Sequence, residues 1–212
     1  MASVPAEERG TRERLLAAAE RLFAERGYEH TTVREITEAA GANVAAVHYH
    51  FGSKENLYLE VFRVHADRMA ALREAALAAA AGKGPGEGLE AVLRTFVGYC
   101  LRHLLAQAEA DHFPRIVFRE VAAPGPAFDF LFRTVIQPNS EGFRRVIRRA
   151  VPGMDEQEAT LCVASLFGLM LHFVRARRVV ERLSGRAYDE AFVEEICEHI
   201  VGFALRGMGV AR

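Results

Sequence analysis

The chain has 212 residues, of which 50% are hydrophobic, and its 27 Lys+Arg and 28 Asp+Glu give a formal net charge of −1. This length is sufficient for one or two domains with a buried core. Because the charges balance, no overall basic field attracts nucleic acid. Any binding to DNA must therefore depend on where individual cations lie.

The three cysteines, Cys100, Cys162 and Cys197, are far apart and each lies among apolar residues. This pattern indicates buried thiols in a reducing compartment, without disulfide or zinc-ligand spacing. The N-terminus is polar and lacks the apolar segment of a signal peptide. The longest apolar run, residues 161–174, is too short to cross a bilayer. We therefore predict a cytoplasmic protein with no membrane partner and no cofactor.

Apolar residues recur every three to four positions along almost the whole chain, which predicts an all-α fold. The first helix is predicted to run from Thr11, as its N-cap, to Arg26, where Gly27 stops it. Thr32 and Glu35 have the spacing of a capping box and predict the start of a second helix. The N-terminal helices are therefore short, with clear sequence signals at their ends.

Gly41 predicts a turn after the second helix, and Asn43 then caps a short third helix. Ser53 is predicted to cap a fourth helix that continues to about Ala81, roughly 40 Å long at the usual rise per residue. The glycine-rich residues 82–86 end it. Two short helices joined by a glycine turn predict a helix-turn-helix.

These elements predict three parts of the chain. Residues 1–53 form a three-helix helix-turn-helix domain, residues 54–81 form a long connecting helix, and residues 82–212 form a larger helical domain. Further helices are predicted at 88–109, 115–121, 127–150 with a kink or restart at Pro138, 155–182, and 188–206.

The third helix and its flanks carry side chains suited to the major groove of DNA. Small residues in its first turn allow close approach and can contact a thymine methyl group. Arg34 is long enough to fork onto a guanine or a phosphate, and Thr32 lies at a helix N-terminus that favours an anion. His48 can read a base acceptor or a phosphate, depending on its proton. The candidate DNA contacts are Thr32, Arg34, Asn43, Val44, Ala45, Ala46, His48, Tyr49, His50 and Lys54.

A structural interpretation of the same residues is also open. Val47 and Phe51 are four positions apart and are predicted to be core. A single histidine or tyrosine in a helix is more often a packing or surface residue than a ligand contact. Here four polar or aromatic-polar groups lie within seven residues after a glycine turn, and this density favours DNA binding.

Residues 11–60 contain a set of motifs in a definite order and spacing: Ala17–Ala18 with Leu22–Phe23, Gly27–Tyr28, Thr31–Thr32–Val33, Ile36, Ala40–Gly41, Tyr49–His50–Phe51, Ser53–Lys54–Glu55 and Leu57. This set resembles the DNA-binding domain of the tetracycline-repressor (TetR) family of bacterial transcription regulators. The resemblance implies a homodimer that binds a near-palindromic operator, usually as a repressor released by a small-molecule effector. The resemblance also implies that the DNA contacts of the family fall on the candidate residues given above, with the exception of Asn43. His48 departs from the family, which more often has tyrosine there.

The C-terminal part resembles a subgroup of that family. Phe118–Arg119–Glu120–Val121–Ala122 before Pro124, followed by Val135–Ile136–Gln137–Pro138, is similar to CecR-type regulators, which have been linked to antibiotic and efflux regulation. Residues 82–212 are accordingly expected to bind an effector and to dimerise.

The predicted helix 155–182 is apolar on too many sides for a surface helix, so a second surface must cover it. Together with helix 188–206 it is expected to form a four-helix interface across a two-fold axis, as in the family. The alternative is a central helix in a monomeric bundle. Binding to a palindrome favours the dimer, because two half-sites need paired recognition helices.

Aromatic and sulfur-containing residues of the larger domain are candidates for an effector pocket, and such a lining suits a mostly apolar, drug-sized ligand. Ordinary core packing is the alternative for most of them, and a solvated ion-pair cluster is the alternative for Arg119. The candidates are Phe96, Cys100, His103, Phe118, Arg119, Phe132, Phe167, Met170 and His172.

Two other classes of function remain open on the residues alone. An enzyme can be imagined around His103 and His172, but no HExxH, paired-cysteine or nucleophile motif accompanies them. A metal sensor can be imagined from the eight histidines, but only His48 and His50 are close in sequence, and positions two apart on a helix point away from each other. We therefore predict a non-enzymatic, effector-responsive repressor without a metal site.

Overall fold

The computed structural model describes residues 6–106 and 112–210. Within these ranges the chain forms helices and no strand, which confirms the all-α prediction. The helices are α1 (Ala6–Arg26), α2 (Val33–Ala40), α3 (Val44–Phe51), α4 (Lys54–Ala78), α5 (Pro85–Ala106), α6 (Phe113–Ala122), α7 (Phe128–Leu131), α8 (Gln137–Ala150), α9 (Glu156–Arg175), α10 (Arg177–Ser184) and α11 (Glu190–Gly207).

The ends of the short N-terminal helices follow the predicted capping signals. Thr32 and Glu35 form the complete capping box at the start of α2. Gly41 ends α2 with φ 60°, in the left-handed region that favours glycine. The start of α1 was predicted incorrectly, because α1 begins at Ala6 and Thr11 lies inside it. Threonine is tolerated within a helix, so one hydroxyl without a matching glutamate is a weak start signal.

The predicted helix 127–150 is divided by a π-helical turn, Phe132–Ile136, which lies just before Pro138. A proline ring would clash with the carbonyl four residues earlier in a regular α-helix, and the wider turn relieves this conflict. The hydroxyl of Thr134 donates to the Phe130 carbonyl at 2.7 Å. The predicted restart at Pro138 is therefore a change of helix type.

The predicted helix 155–182 is divided into α9 and α10 at Ala176. In a continuous helix the carbonyl of Phe173 would accept a hydrogen bond from the amide of Arg177. Instead it accepts one from the hydroxyl of Tyr188 at 3.0 Å. The tyrosine therefore satisfies a carbonyl that the helix end would otherwise leave unpaired.

The chain divides into two compact units. The first comprises Met1–Asp67 with Glu109–Thr134, and the second comprises Arg68–Ala108 with Val135–Arg212. Helices α6 and α7 therefore fold with the helix-turn-helix, although they follow it by more than fifty residues. The edges of these units do not coincide with the boundary predicted after residue 81.

In the first unit, a buried hydrogen-bond network joins α4 to the segment after α6. The Tyr58 hydroxyl donates to the Glu120 carboxylate at 2.8 Å, and the amides of Gly125 and Ala127 donate to it at 2.9 Å each. Both side chains are buried. Burial, and then the hydrogen bond to Glu120, raises the pKa of Tyr58, so the phenol remains a donor.

In the second unit, α11 packs on α5 and α9, and α8 packs on the same two helices. These four helices surround one apolar core to which each contributes, with Leu93, Phe143, Leu166 and Ile200 almost fully buried. This apolar core holds the four helices together, and it gives the second unit a core of its own.

Candidate nucleic-acid interface

Helix α3 presents one face to solvent and anchors the other in the first unit. Val47 has no exposed surface and Phe51 is also buried, whereas Tyr49 is 73% exposed and Val44 is exposed. The helix packs against α1 and α2. The side chains predicted to read DNA on this helix therefore lie at the surface, while the two predicted core residues hold the helix from behind.

The two ends of α3 use side chains to satisfy the backbone. The Asn43 carboxamide oxygen accepts a hydrogen bond from the Ala46 amide at 2.9 Å, so Asn43 acts as the N-cap. At the other end, His48 Nδ1 lies 3.0 Å from the Gly52 carbonyl oxygen. A carbonyl only accepts, so Nδ1 must carry a hydrogen, and in the neutral ring Nε2 is then an acceptor.

Thr32 is exposed, but its polar groups are already engaged. Its amide and its hydroxyl both donate to the Glu35 carboxylate at 2.8 Å. The Glu35 amide in turn donates to the Thr32 hydroxyl at 3.2 Å. These bonds from Thr32 lower the pKa of Glu35, so the carboxylate stays charged next to the predicted phosphate contact. A phosphate at Thr32 would have to displace Glu35.

The two cations predicted to contact DNA also have partners. Arg34 Nε donates to Glu38 Oε1 at 2.8 Å, and both side chains are exposed. This hydrogen bond raises the pKa of Arg34. Lys54 Nζ lies 4.1 Å from the centre of the Tyr28 ring, a cation–π contact. The exposed Arg34–Glu38 pair contributes little stability, so Arg34 is free to exchange this partner for a phosphate.

Tyr49 and His50 lie side by side on α3. Their ring centres are 5.0 Å apart in an edge-to-face arrangement, and His50 is half-buried. Ala45 is exposed and Ala46 is half-buried, so the first turn is small and open. The ten predicted DNA contacts thus lie on α3, at the N-terminus of α2 and at the N-terminus of α4.

The nine predicted pocket residues fall in two compact units. Phe118, Arg119 and Phe132 belong to the first unit, and the other six belong to the second. Arg119 is exposed and its guanidinium lies 3.5 Å from the Ala24 carbonyl oxygen, while Phe132 is also exposed. The structure therefore does not gather the nine residues into one unit.

In the second unit, two of the candidates form an aromatic cluster with a residue that the sequence analysis missed. Phe143 lies 4.8 Å from Phe96 and 6.2 Å from Phe167, measured between ring centres. Met170 is buried in the same core, and burial raises the pKa of the Cys100 thiol to about 12. Helical spacing with Val146 and Ile147 was the available signal for Phe143.

The remaining candidates do not add to this cluster. His172 is exposed, with its ring centre 5.8 Å from that of Phe173. The side chain of His103 lies outside the described residues. In the parts of the chain that the structure describes, no group of three or more His, Cys, Asp or Glu residues is arranged to hold a metal ion.

Two protein families match this chain. Residues 15–61 match the bacterial regulatory proteins of the tetR family, and residues 86–208 match the C-terminal domain of the HTH-type transcriptional dual regulator CecR. The second match covers more than half of the chain. The chain therefore belongs to the TetR family, with a C-terminal domain of the CecR type, and is a DNA-binding transcriptional regulator.

Individual relatives agree with this assignment. The transcriptional dual regulator CecR of Shigella flexneri is 31% identical over 201 residues, covering 87% of this chain and 85% of CecR. The transcriptional repressor AcnR of Corynebacterium glutamicum is 50% identical over 60 residues, covering 28% of this chain and only 32% of AcnR. The crystal structure of the TetR-family regulator PfmR from Thermus thermophilus has a TM-score of 0.62 at 22% identity, covering 91% of this chain and 97% of PfmR. The last likeness supports the fold.

Proposed function

We propose that the protein is a cytoplasmic homodimeric repressor that binds a palindromic DNA operator through α3 and releases it when a small molecule binds the C-terminal domain. The observation that carries this proposal is the presentation of α3, which exposes Val44 and Tyr49 above the buried Val47 and Phe51. A helix held in this way can enter a major groove, and two copies related by a two-fold axis would read the two halves of a palindrome.

The homodimer is supported by an apolar surface on α9 and α11. Leu161 on α9 is 60% exposed and Phe203 on α11 is 52% exposed. Helix α9 is long and apolar enough to span a membrane by length and composition, yet only 22% of its most apolar window is buried within the chain. A second copy would cover this surface, and a two-fold interface brings the same patch of each copy together.

The function is tested by selecting bound fragments from random DNA with the purified protein. We expect a palindrome whose half-sites are separated by about one helical turn or a multiple of it. Its affinity should fall steeply with salt, since phosphates dominate the contact. Recovery of unrelated fragments with no shared half-site would contradict sequence-specific regulation.

We predict that Arg34→Ala lowers affinity for the selected palindrome about tenfold or more. Loss of a bidentate contact between an arginine and a base costs roughly 1–3 kcal/mol, and this contact would be lost in both half-sites. Gel mobility-shift titrations over a range of salt would also identify the target of Arg34. A shallower salt dependence indicates a phosphate, whereas unchanged salt dependence with relaxed sequence preference indicates a base.

Arg21→Ala is the matched control for Arg34→Ala. Arg21 is also an exposed arginine paired four residues along its helix with a glutamate, Glu25, in the first unit. It is not among the predicted DNA contacts, so its removal should leave affinity unchanged. Equal affinities of both variants and the parent would show that Arg34 does not touch DNA.

We predict that operator affinity rises about three- to tenfold between pH 8 and pH 6 at fixed salt. Histidine is the side chain that changes charge in this range, and a protonated ring beside phosphates strengthens binding. Since His48 Nδ1 is engaged with the Gly52 carbonyl, neutral His48 offers only an acceptor, which cannot bond a phosphate oxygen. Protonation at Nε2 supplies the missing donor.

Fluorescence anisotropy with labelled operator at several pH values measures this effect. His48→Gln should remove most of the pH dependence, and His50→Gln should remove any remainder. Dissociation constants that are equal across the range would show that neither imidazole is charged at the interface.

A further inference from the structure

The buried face of α8 contains one polar residue among apolar ones. Asn139, Phe143 and Ile147 follow each other on α8 at intervals of four, and all three are buried. Residues at this spacing lie one above the other on a helix. Asn139 is only 5% exposed and belongs to the second unit.

The carboxamide oxygen of Asn139 has no hydrogen-bond partner among the described residues, and this atom is buried. A buried oxygen without a partner destabilises the fold, and such exceptions in native proteins require a specific explanation.

An aromatic cluster begins one helical turn after Asn139. One turn further along α8, Phe143 meets Phe96 at 4.8 Å, and Phe96 meets Phe167 at 5.7 Å. Phe167 is only half-buried, so this aromatic cluster is not sealed from solvent. An apolar wall with a single polar group that sets orientation is the usual composition of a small-molecule site.

The π-helical turn Phe132–Ile136 ends three residues before Asn139. A π turn contains more residues than an α turn and so changes the direction in which every later side chain points. Turns of this kind occur often at functional sites. It is thus a second feature that distinguishes this end of α8.

We propose that Asn139 is the polar anchor of the effector site, and that the effector is a small, mainly aromatic molecule carrying a primary amide or a lactam. Such a group has one donor and one acceptor side by side and can form two parallel hydrogen bonds with a carboxamide. Its apolar body would lie against Phe96, Phe143 and Phe167. This inference rests on the proposed function, because it assigns the effector of the proposed repressor.

Three probes of similar shape separate hydrogen bonding from apolar contact. Benzamide carries a donor and an acceptor, acetophenone carries an acceptor only, and isopropylbenzene carries neither. Each is titrated into the full-length protein and into Asn139→Leu. We expect the substitution to lower the affinity for benzamide at least tenfold and the affinity for acetophenone by less. The affinity for isopropylbenzene should fall by no more than twofold, because only the hydrogen-bonding groups lose a partner.

Gln137→Leu is the matched control, since Gln137 lies on the same helix but is exposed and bonded to Glu141. It should leave all three affinities unchanged. A measurement on the unaltered protein covers the case in which Asn139→Leu does not fold. Benzamide, but not isopropylbenzene, should shift the nuclear magnetic resonance signals of the Asn139 side-chain amide. Benzamide affinity equal in Asn139→Leu and the parent, or an unshifted amide signal, overturns the assignment.

The two levels of the proposal fail in different ways. If no palindrome is recovered from random DNA, the proposed repressor function fails whatever the probes do. If a palindrome is recovered and benzamide binds the parent and Asn139→Leu with equal affinity, the proposed repressor function is retained. Only the assignment of the effector class is then wrong.

Discussion

The double substitution Leu161→Glu with Phe203→Glu is expected to convert the protein to a monomer and to lower operator affinity more than 100-fold. Both side chains are large, apolar and more than half exposed on neighbouring helices of the second unit, α9 and α11. In a two-fold interface each substitution appears twice, so four carboxylates would meet in an apolar contact. Removing even one unpaired carboxylate from water costs several kcal/mol.

Loss of the proposed dimer would weaken DNA binding because the two recognition helices would no longer bind as one molecule. A tethered second half-site is bound at a high effective concentration, and a monomer loses this advantage, which is worth 100-fold or more. Sedimentation equilibrium gives the mass and anisotropy gives the affinity. Val64→Glu is the control, since Val64 is also apolar and exposed but lies on α4 in the first unit. A double variant that remains dimeric would place the interface elsewhere.

Glu120→Leu is expected to lower the free energy of unfolding by about 3–5 kcal/mol. The substitution leaves the Tyr58 hydroxyl and the amides of Gly125 and Ala127 without their acceptor. Each buried donor left unpaired costs roughly 1–3 kcal/mol. Leucine has a similar size, so the loss reflects hydrogen bonding more than a cavity.

Urea denaturation followed by circular dichroism, at one fixed protein concentration, measures this loss, because the stability of a dimer depends on concentration. Tyr58→Phe should cost less, about 1–2 kcal/mol, since Glu120 keeps its two backbone donors. Glu29→Leu replaces an exposed glutamate of the same unit and should change stability by less than about 0.5 kcal/mol. Equal stabilities of Glu120→Leu and Glu29→Leu would show that the network does not hold α6 in place.

The parts of the fold that sequence patterns predicted are those with local causes. The capping box of Thr32 and Glu35 and the cap at Asn43 involve atoms three residues apart, and a local pattern records them directly. The docking of α6 in the first unit depends on Tyr58 and Glu120, which are 62 positions apart. Helical periodicity contains no information about which distant residue accepts a given hydrogen bond.

The same distinction applies to the candidate sites. The burial of Val47 and Phe51, on the inner face of α3, follows from their spacing, and the structure agrees. The hydrogen-bond partners of the exposed candidate contacts could not be predicted from spacing. Glu35, Glu38 and Gly52 are those partners, and each contact depends on a particular side-chain conformation. An unpaired group such as Asn139 is likewise invisible in a sequence, since it is defined by what its neighbours lack.

The membership of residues 112–134 in the first unit limits how this regulator can be recombined with its relatives. A hybrid that joins residues 1–81 to the C-terminal portion of another regulator would part Tyr58 from Glu120 and Phe62 from Phe113. The first unit, which contains the helix-turn-helix, would then lack the helix that completes its core. Transplanting operator specificity from this chain therefore requires two separate inserts, the N-terminal helices and the α6–α7 segment that the chain supplies later.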